Sequence, residues 1–409
     1  MERMHVLIAG GGLSGLCLAH GLRKAGHTCE VFERDPDFSR KTGYMLHMNP
    51  YGGEGLRACL PDDLYELYLE TSRRTPERRQ SIVLDDQLNE LSTQPHLGPP
   101  NEGPRPHTGV HRRTLRQILL ARLDDSLHLG QAAAGYEEIG DRVWLKLADG
   151  STAEGDVLVG ADGIRSAIRA QRLPQVEIVD TGIDGIGIFG RSPLTPEIVA
   201  ELPSLLLQGV IIVADRQGHR LLLGPFQPRQ EIAQAPAAIA PDVTLEPVGD
   251  YIMVSCSVAA GTTIPPNREW TAETPLMLRD AMLRALEGWH PAARGIVERL
   301  DPESMFSIPF GFLMPPDPWE SSRVTLIGDA AHAMLPTLGM GANLSLRDAG
   351  LLSERLGAVG RGEQELIAAI AGYEADMREV VYPIMRMAME HDKNFGGGAL
   401  EQMREGAEA

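Results

Sequence analysis

The chain has 409 residues, 43% hydrophobic and 23% charged, enough for two or three domains with ample core. Lys and Arg total 38 against 56 Asp and Glu, a formal net charge of −18, which argues against nucleic acid or an anionic membrane as main partner. Cys17, Cys29, Cys59 and Cys256 form no CxxC pair, which excludes a disulfide frame or a zinc site, and no apolar run approaches the ~18 residues of a membrane span.

The first strand is expected within a few residues of Met1, leaving no room for a signal peptide, so a cytoplasmic location is expected. His5 to Ala9 form that strand. Gly10, Gly11, Gly12, Leu13, Ser14 and Gly15 follow as G-x-G-x-x-G, then a helix over 13–24 and a strand over 28–32 that ends at Glu33. Gly10 suits a tight turn, Gly12 close approach of a pyrophosphate, and Gly15 the packing of helix on strand, while Glu33 can accept hydrogen bonds from ribose hydroxyls. The pattern predicts dinucleotide binding and does not separate FAD from NAD. Arg34 and Arg40 follow in a polar stretch, either as solvated charges or as contacts to the bound cofactor.

Residues 43–60 hold a turn around Asn49-Pro50 and then a helix start, with Tyr44 and His47 facing a site or the core. A helix with Leu64, Leu67 and Tyr68 leads to Arg73, Arg74, Arg78 and Arg79, an expected exposed basic patch. Residues 80–91 read as a hairpin turning at Asp85-Asp86, and 93–108, with five prolines and two glycines, as a linker or domain crossing. Leu115, Ile118, Leu119 and Leu123 recur at helical spacing, so Arg112 stands at a helix start. A cation there opposes the helix dipole, which makes sense if it meets a ligand anion or carbonyl rather than solvent.

Val143, Leu145 and Leu147 alternate up to the hairpin turn Asp149-Gly150. Val157, Leu158 and Val159 form a buried strand ending in Gly160, Ala161, Asp162 and Gly163, and Arg165, Ser166 and Arg169 open the next helix. From 178 to 317, β-prone runs at 186–188, 210–213, 220–223 and 251–256, with helices over 276–286 and 293–300, predict a mostly antiparallel sheet. Such a sheet beside a dinucleotide site is a natural pocket floor, which Phe189, Phe226, Phe310 and Phe312 line unless they pack the core. Val324 to Ile327 form another buried strand, Gly328 ends it, and Asp329 lies past its carboxyl end. Pro336, Gly339 and Gly341 let backbone approach a flat ligand, and Ala342 and Asn343 open a helix whose dipole favours a negative group.

Three motifs thus stand in order: GGGLSG with Glu33, GADGIRS, and GDAAHAMLPTLGMGAN. Together they resemble the class A FAD-dependent aromatic monooxygenases, the para-hydroxybenzoate hydroxylase-like family, in the short form without a thioredoxin-like domain. The resemblance covers nearly the whole chain. It implies that Gly10, Gly12, Leu13, Ser14 and Gly15 take the ADP pyrophosphate and Glu33 the ribose. Arg112 matches the R-x-x-L arginine that contacts FAD, Asp162 and Gly163 the Asp-Gly motif, and Asp329 the acid on the ribityl chain. The loop from Pro336 through Gly339, Gly341 and Ala342 to Asn343 would lie along the flavin ring. The family's Arg-x-Gly element is replaced by Arg40, Lys41, Thr42 and Gly43, and its role falls on Arg40 or Lys41.

The fold implied is α/β: a discontinuous Rossmann-like FAD-binding domain (1–74, 101–177, 318–355), an interleaved substrate domain (75–100, 178–317), and a C-terminal helical segment (356–409). The chemistry implied is reduction of FAD by NAD(P)H as transient reductant, reaction with dioxygen to a flavin hydroperoxide, and transfer of one oxygen atom to an aromatic or polycyclic natural product. No side chain is assigned as nucleophile or metal ligand, and His332 reads as structural. A dehydrogenase or reductase of the same fold, or a non-catalytic flavin redox sensor, are the alternatives. A flavin halogenase is less favoured, because W-x-W-x-I-P is absent.

Overall fold

The computed structural model describes residues 3–37, 43–78, 80–96, 99, 108–180, 188–258, 262–265, 269–307, 311–335 and 338–396. The apolar run His5–Ala9 is a strand whose Val6 to Ala9 are fully buried, and Leu13–Lys24 is a helix. Burial on both faces explains why this run does not alternate. The strand is central in a five-stranded parallel sheet, in the order Val324–Leu326, Val157–Gly160, His5–Ala9, Thr28–Glu33, Leu127–Leu129. The glycine-and-acid turns therefore leave from the carboxyl ends of adjacent strands. That shared edge is where open α/β sheets take ligands.

A second sheet has seven strands in the order Phe306–Ser307, Ile188–Pro193, Tyr251–Cys256, Arg220–Phe226, Val210–Ala214, Ser81–Asp85, Glu90–Gln94. It is antiparallel except where Val210–Ala214 runs beside Ser81–Asp85. Side-chain alternation splits it into two faces. Leu221, Leu223, Ile252 and Val254 pack under the helices Thr274–Ala285 and Pro291–Glu298. Phe226, Tyr251 and Met253 turn the other way and join the core of the parallel sheet. The seven-stranded sheet is thus a partition, with one face closing over the cofactor half of the molecule.

A short antiparallel pair, Met45–Met48 with Thr108–His111, lies between the two sheets, with Met45 opposite His111 and His47 opposite Gly109. The Met45 methyl fills the place a side chain at Gly224 would take, 2.5 Å from its Cβ position. The expected exposed basic patch needs a correction. Arg74 is exposed, but Arg73 is only 7% exposed, because backbone hydrogen bonds hold its segment between the sheets. The chain closes with the helices Gly341–Gly360 and Leu366–Gly396. Among the described residues, no helix is long and apolar enough to cross a membrane, and no group of His, Cys, Asp or Glu is arranged to hold a metal ion.

Candidate functional site

The three motifs meet in contact. Gly10 has φ +113°, and a Cβ there would fall 2.3 Å from the Ala161 carbonyl oxygen and 2.8 Å from the Asp162 nitrogen. The first motif therefore packs directly on the second, and only glycine fits. Gly328 has φ +59°, and the hydroxyls of Ser14 and Ser345 lie 3.0 and 2.8 Å from its Cβ position, which seats the third motif on the first. Arg169, 3% exposed, donates to the carbonyls of Ala330 at 3.2 Å and Ile164 at 2.6 Å, tying the second corner to the third.

The acids differ in surroundings. Glu33 is 7% exposed and accepts the N–H of Gly11 at 2.9 Å and of Asp35 at 2.9 Å, so it shapes the glycine loop from below. Asp162 Oδ2 accepts from the Ala167 N–H at 2.8 Å, while its buried Oδ1 has no partner among the described residues. Burial raises the Asp162 pKa against the pull of the Ser166 hydroxyl and nearby backbone donors. Asp329 is exposed on the open edge of the sheet.

The third-motif helix is braced through Asn343, whose Oδ1 accepts the Asn49 N–H at 2.8 Å and whose Nδ2 donates to the carbonyls of His47 at 2.8 Å and Gly339 at 3.0 Å. Its side chain is spent on holding the loop. The backbone N–H groups of the first helical turn have no intrahelical acceptor; Gly341 and Ala342 there are half-buried and Asn343 is fully buried. Arg112 is half-buried at the start of the helix Arg112–Leu120, and its backbone N–H donates to the Tyr44 carbonyl at 2.9 Å. Leu13 and Gly163 are half-buried on the same rim, and Arg34 is exposed beyond Glu33. Arg40, Pro336 and Phe310 lie outside the described residues.

Sequence reasoning missed Arg116 and left Tyr44 and His47 open between a site and the core. Arg116, one turn beyond Arg112, donates to the Gly11 carbonyl at 3.2 Å and stands 3.8 Å from Glu33, so it faces the glycine loop. Tyr44 joins Phe189 at 5.8 Å and Phe306 at 5.2 Å in an aromatic cluster. Burial raises the Tyr44 pKa, with Arg112 opposing and Asp329 adding, so both charges stand near the ring. His47 and His96 lie 4.4 Å apart with their rings tilted by 34°, His47 Cβ being 3.9 Å from the Cβ position of Gly339 in the third-motif loop. Phe226 and Phe312, by contrast, are core residues.

Two buried histidines nearby carry a pH dependence. His111 donates to or accepts from the Tyr251 hydroxyl at 3.0 Å, and burial, with Arg191 and Arg113 nearby, pushes its pKa down to about 3. Burial also lowers His20, against its contact with the Leu119 carbonyl, to about 4. Both are neutral in the folded chain where the unfolded chain, near 6.5, begins to protonate. Their stability contribution is full above 6.5 and is lost as pH falls toward those folded values, at roughly 1.4 kcal/mol per pH unit for each. Urea midpoints are expected to stay level above about pH 7 and to fall below it. His20→Gln should make that fall shallower, and an unchanged acid slope in the variant contradicts the assignment.

The residues fit a dinucleotide. Gly12 has φ −76°, which any residue adopts, and a Cβ there would meet nothing within 4 Å. The fold itself does not require glycine at that position; the open space above it does, if a pyrophosphate fills it. The unpartnered Asp162 Oδ1 at the same groove is a second sign of a missing polar ligand.

Comparison with known proteins agrees. Residues 314–388 match an FAD binding domain model and residues 8–43 an NAD(P)-binding Rossmann-like domain model. A dual O-methyltransferase/FAD-dependent monooxygenase of Phaeosphaeria nodorum is 30% identical over 97% of this chain and 45% of its own length. The chain spans about half the length of that and the next curated relatives it matches. Salicylate hydroxylase of Pseudomonas putida is 26% identical over 92% of this chain and 82% of that protein. A crystal structure assigned as an FAD-containing monooxygenase, from Photorhabdus luminescens, superposes with a TM-score of 0.80 and 31% identity, covering 96% of this chain and 99% of the other. Matched over nearly the full length of that structure, the chain belongs to the FAD-dependent monooxygenases.

Proposed function

We propose that this protein binds FAD in the groove between its three corners, consumes NAD(P)H, and inserts one oxygen atom of dioxygen into an aromatic or polycyclic small molecule. The observation that carries the reading is the packing of Gly10 on Asp162 and of Gly328 on Ser14, with Asp329 and Arg112 near the Tyr44 ring of an aromatic cluster with Phe189 and Phe306. Gly10, Gly12, Leu13, Ser14 and Gly15 would hold the pyrophosphate, with Arg34, Arg112 and Arg116 supplying positive charge. Glu33 would meet the ribose, each of its oxygens keeping a further acceptor position. Asp162 and Gly163 would line the middle of the groove, Asp329 the ribityl chain, and Gly339 to Asn343 the ring. Bound FAD supplies the redox chemistry, by the route the family resemblance implies. The chain's own part is to orient ring and substrate and to keep water out, which the aromatic cluster does on one side.

The salicylate hydroxylase and 6-hydroxynicotinate 3-monooxygenase relatives support an aromatic substrate. The test is NAD(P)H oxidation by FAD-loaded protein across a panel of aromatic compounds, followed by mass spectrometry with isotope-labelled dioxygen. Substrate-stimulated oxidation with label in the product is expected. Label entering only from water, or hydride transfer without dioxygen uptake, contradicts the reading.

A further inference from the structure

The segment after the helix Asp62–Glu70 runs along the seam between the two halves of the molecule. Arg73 N–H donates to the Gly109 carbonyl at 2.8 Å, the Thr108 hydroxyl donates to the Arg73 carbonyl at 3.1 Å, and Arg73 forms an isolated antiparallel bridge with Pro228. Arg74 N–H donates to Gln227 at 2.8 Å and Arg229 N–H to Ser72 at 3.0 Å. One neighbour is the short strand pair that carries His47. The other continues the strand Arg220–Phe226 of the seven-stranded sheet. Backbone hydrogen bonds thus fasten Arg73 to both sides of the seam.

Its side chain, by contrast, is without a partner among the described residues. Arg73 is 7% exposed, and among the described residues its guanidinium makes no hydrogen bond, ion pair or ring contact. Burial alone acts on it and lowers its pKa to about 10. The Arg73 Cβ lies 3.5 Å from the Cβ position of Gly109, and Gly109 sits opposite His47 in the strand pair. His47 in turn borders Gly339 of the third-motif loop. The buried cation is therefore set near both that loop and the seven-stranded sheet.

A guanidinium taken largely out of water without an anion is costly, and replacing it with an apolar side chain generally relieves that cost. Its planar fork of donors matches a carboxylate, which can take two of them side by side. We infer that the seam beside Gly109 is a binding site for a carboxylate group of the substrate, with Arg73 as its receptor. This rests on the proposed monooxygenase function and narrows its substrate class to acidic aromatic or polycyclic compounds. The acid would be read from the seam segment, while the ring to be oxygenated lies toward Tyr44 and Phe189.

The test uses FAD-loaded protein and two matched pairs, salicylate with salicylamide and anthraquinone-2-carboxylate with its carboxamide. Binding is read by perturbation of the flavin spectrum and by thermal shift, neither of which needs turnover. The wild type is expected to bind the acid of at least one pair about tenfold tighter than the amide. Arg73→Met is expected to reduce that ratio to about two or less while melting no lower than the wild type, and Arg73→Lys to restore part of it. Binding without discrimination in both pairs, or discrimination kept by Arg73→Met, overturns the site alone. No binding by any of the compounds overturns both the site and the aromatic-substrate reading beneath it.

Discussion

Gly12→Val is expected to abolish retention of FAD through purification and to leave the apoprotein as stable as the wild type. The two halves of this expectation have separate causes. A Cβ at residue 12 meets no atom of the chain within 4 Å, and the backbone there, at φ −76° and ψ −177°, is extended and suits a β-branched residue. Folding should therefore change by no more than about 0.5 kcal/mol. The branched methyls instead project into the open space over the start of the helix Leu13–Lys24, where the resemblance puts the pyrophosphate. Steric exclusion there should weaken FAD binding by roughly 100-fold, or about 2.8 kcal/mol. Absorbance of the purified protein and titration of apoprotein with FAD measure the first effect, and thermal or urea unfolding of apoprotein measures the second. A yellow, fully loaded Gly12→Val protein removes the glycine loop from the cofactor site. A variant that fails to fold contradicts the open space itself.

How much was legible beforehand follows from where each signal resides. The corners were readable because each is local: an apolar run, a glycine, an acid and a helix start lie within a few residues, and the helix Leu13–Lys24 has the bounds its pattern predicts. Contacts between corners are not local. Nothing around Gly10 indicates that it packs on Ala161, since the two are brought together by parallel pairing of His5–Ala9 with Val157–Gly160. The strand Met45–Met48 was missed for the same reason: it is four residues long and owes its existence to a partner at Thr108–His111. Arg73 was misread as surface because a run of arginines is ordinarily solvated, and only the tertiary path reveals that one of them is buried. Arg116 did carry a signal. Its i, i+4 relation to Arg112 puts both on one helix face, beside the buried Leu115, Ile118 and Leu119 that mark the helix by their spacing.

The same distinction between local signal and tertiary support separates Asp329 of the third motif from Asp348 on the helix that follows it, and they are expected to fail differently. Asp348 is fully buried on the helix Gly341–Gly360. Its Oδ2 accepts from His332 Nε2 at 2.5 Å and from the Gly328 N–H at 3.0 Å, so it holds both ends of the turn that carries Asp329. Burial alone would lower the His332 pKa, but the charge and hydrogen bond of Asp348, with Asp329 adding, raise it instead. Asp348→Ala strips a buried imidazole of its counter-charge and leaves the Gly328 N–H unpaired. The expected cost is about 3–5 kcal/mol of folding stability, accompanied by loss of FAD because the Gly328 turn relaxes. Asp329 is exposed, so Asp329→Ala should unfold like the wild type while weakening FAD binding about 10- to 100-fold through the lost ribityl contact. Urea unfolding of both apoproteins, beside FAD titrations, distinguishes the roles. An Asp348→Ala protein as stable as the wild type shows that the buried pair does not anchor the turn, and an Asp329→Ala protein with undiminished affinity for FAD takes that carboxylate out of the cofactor site.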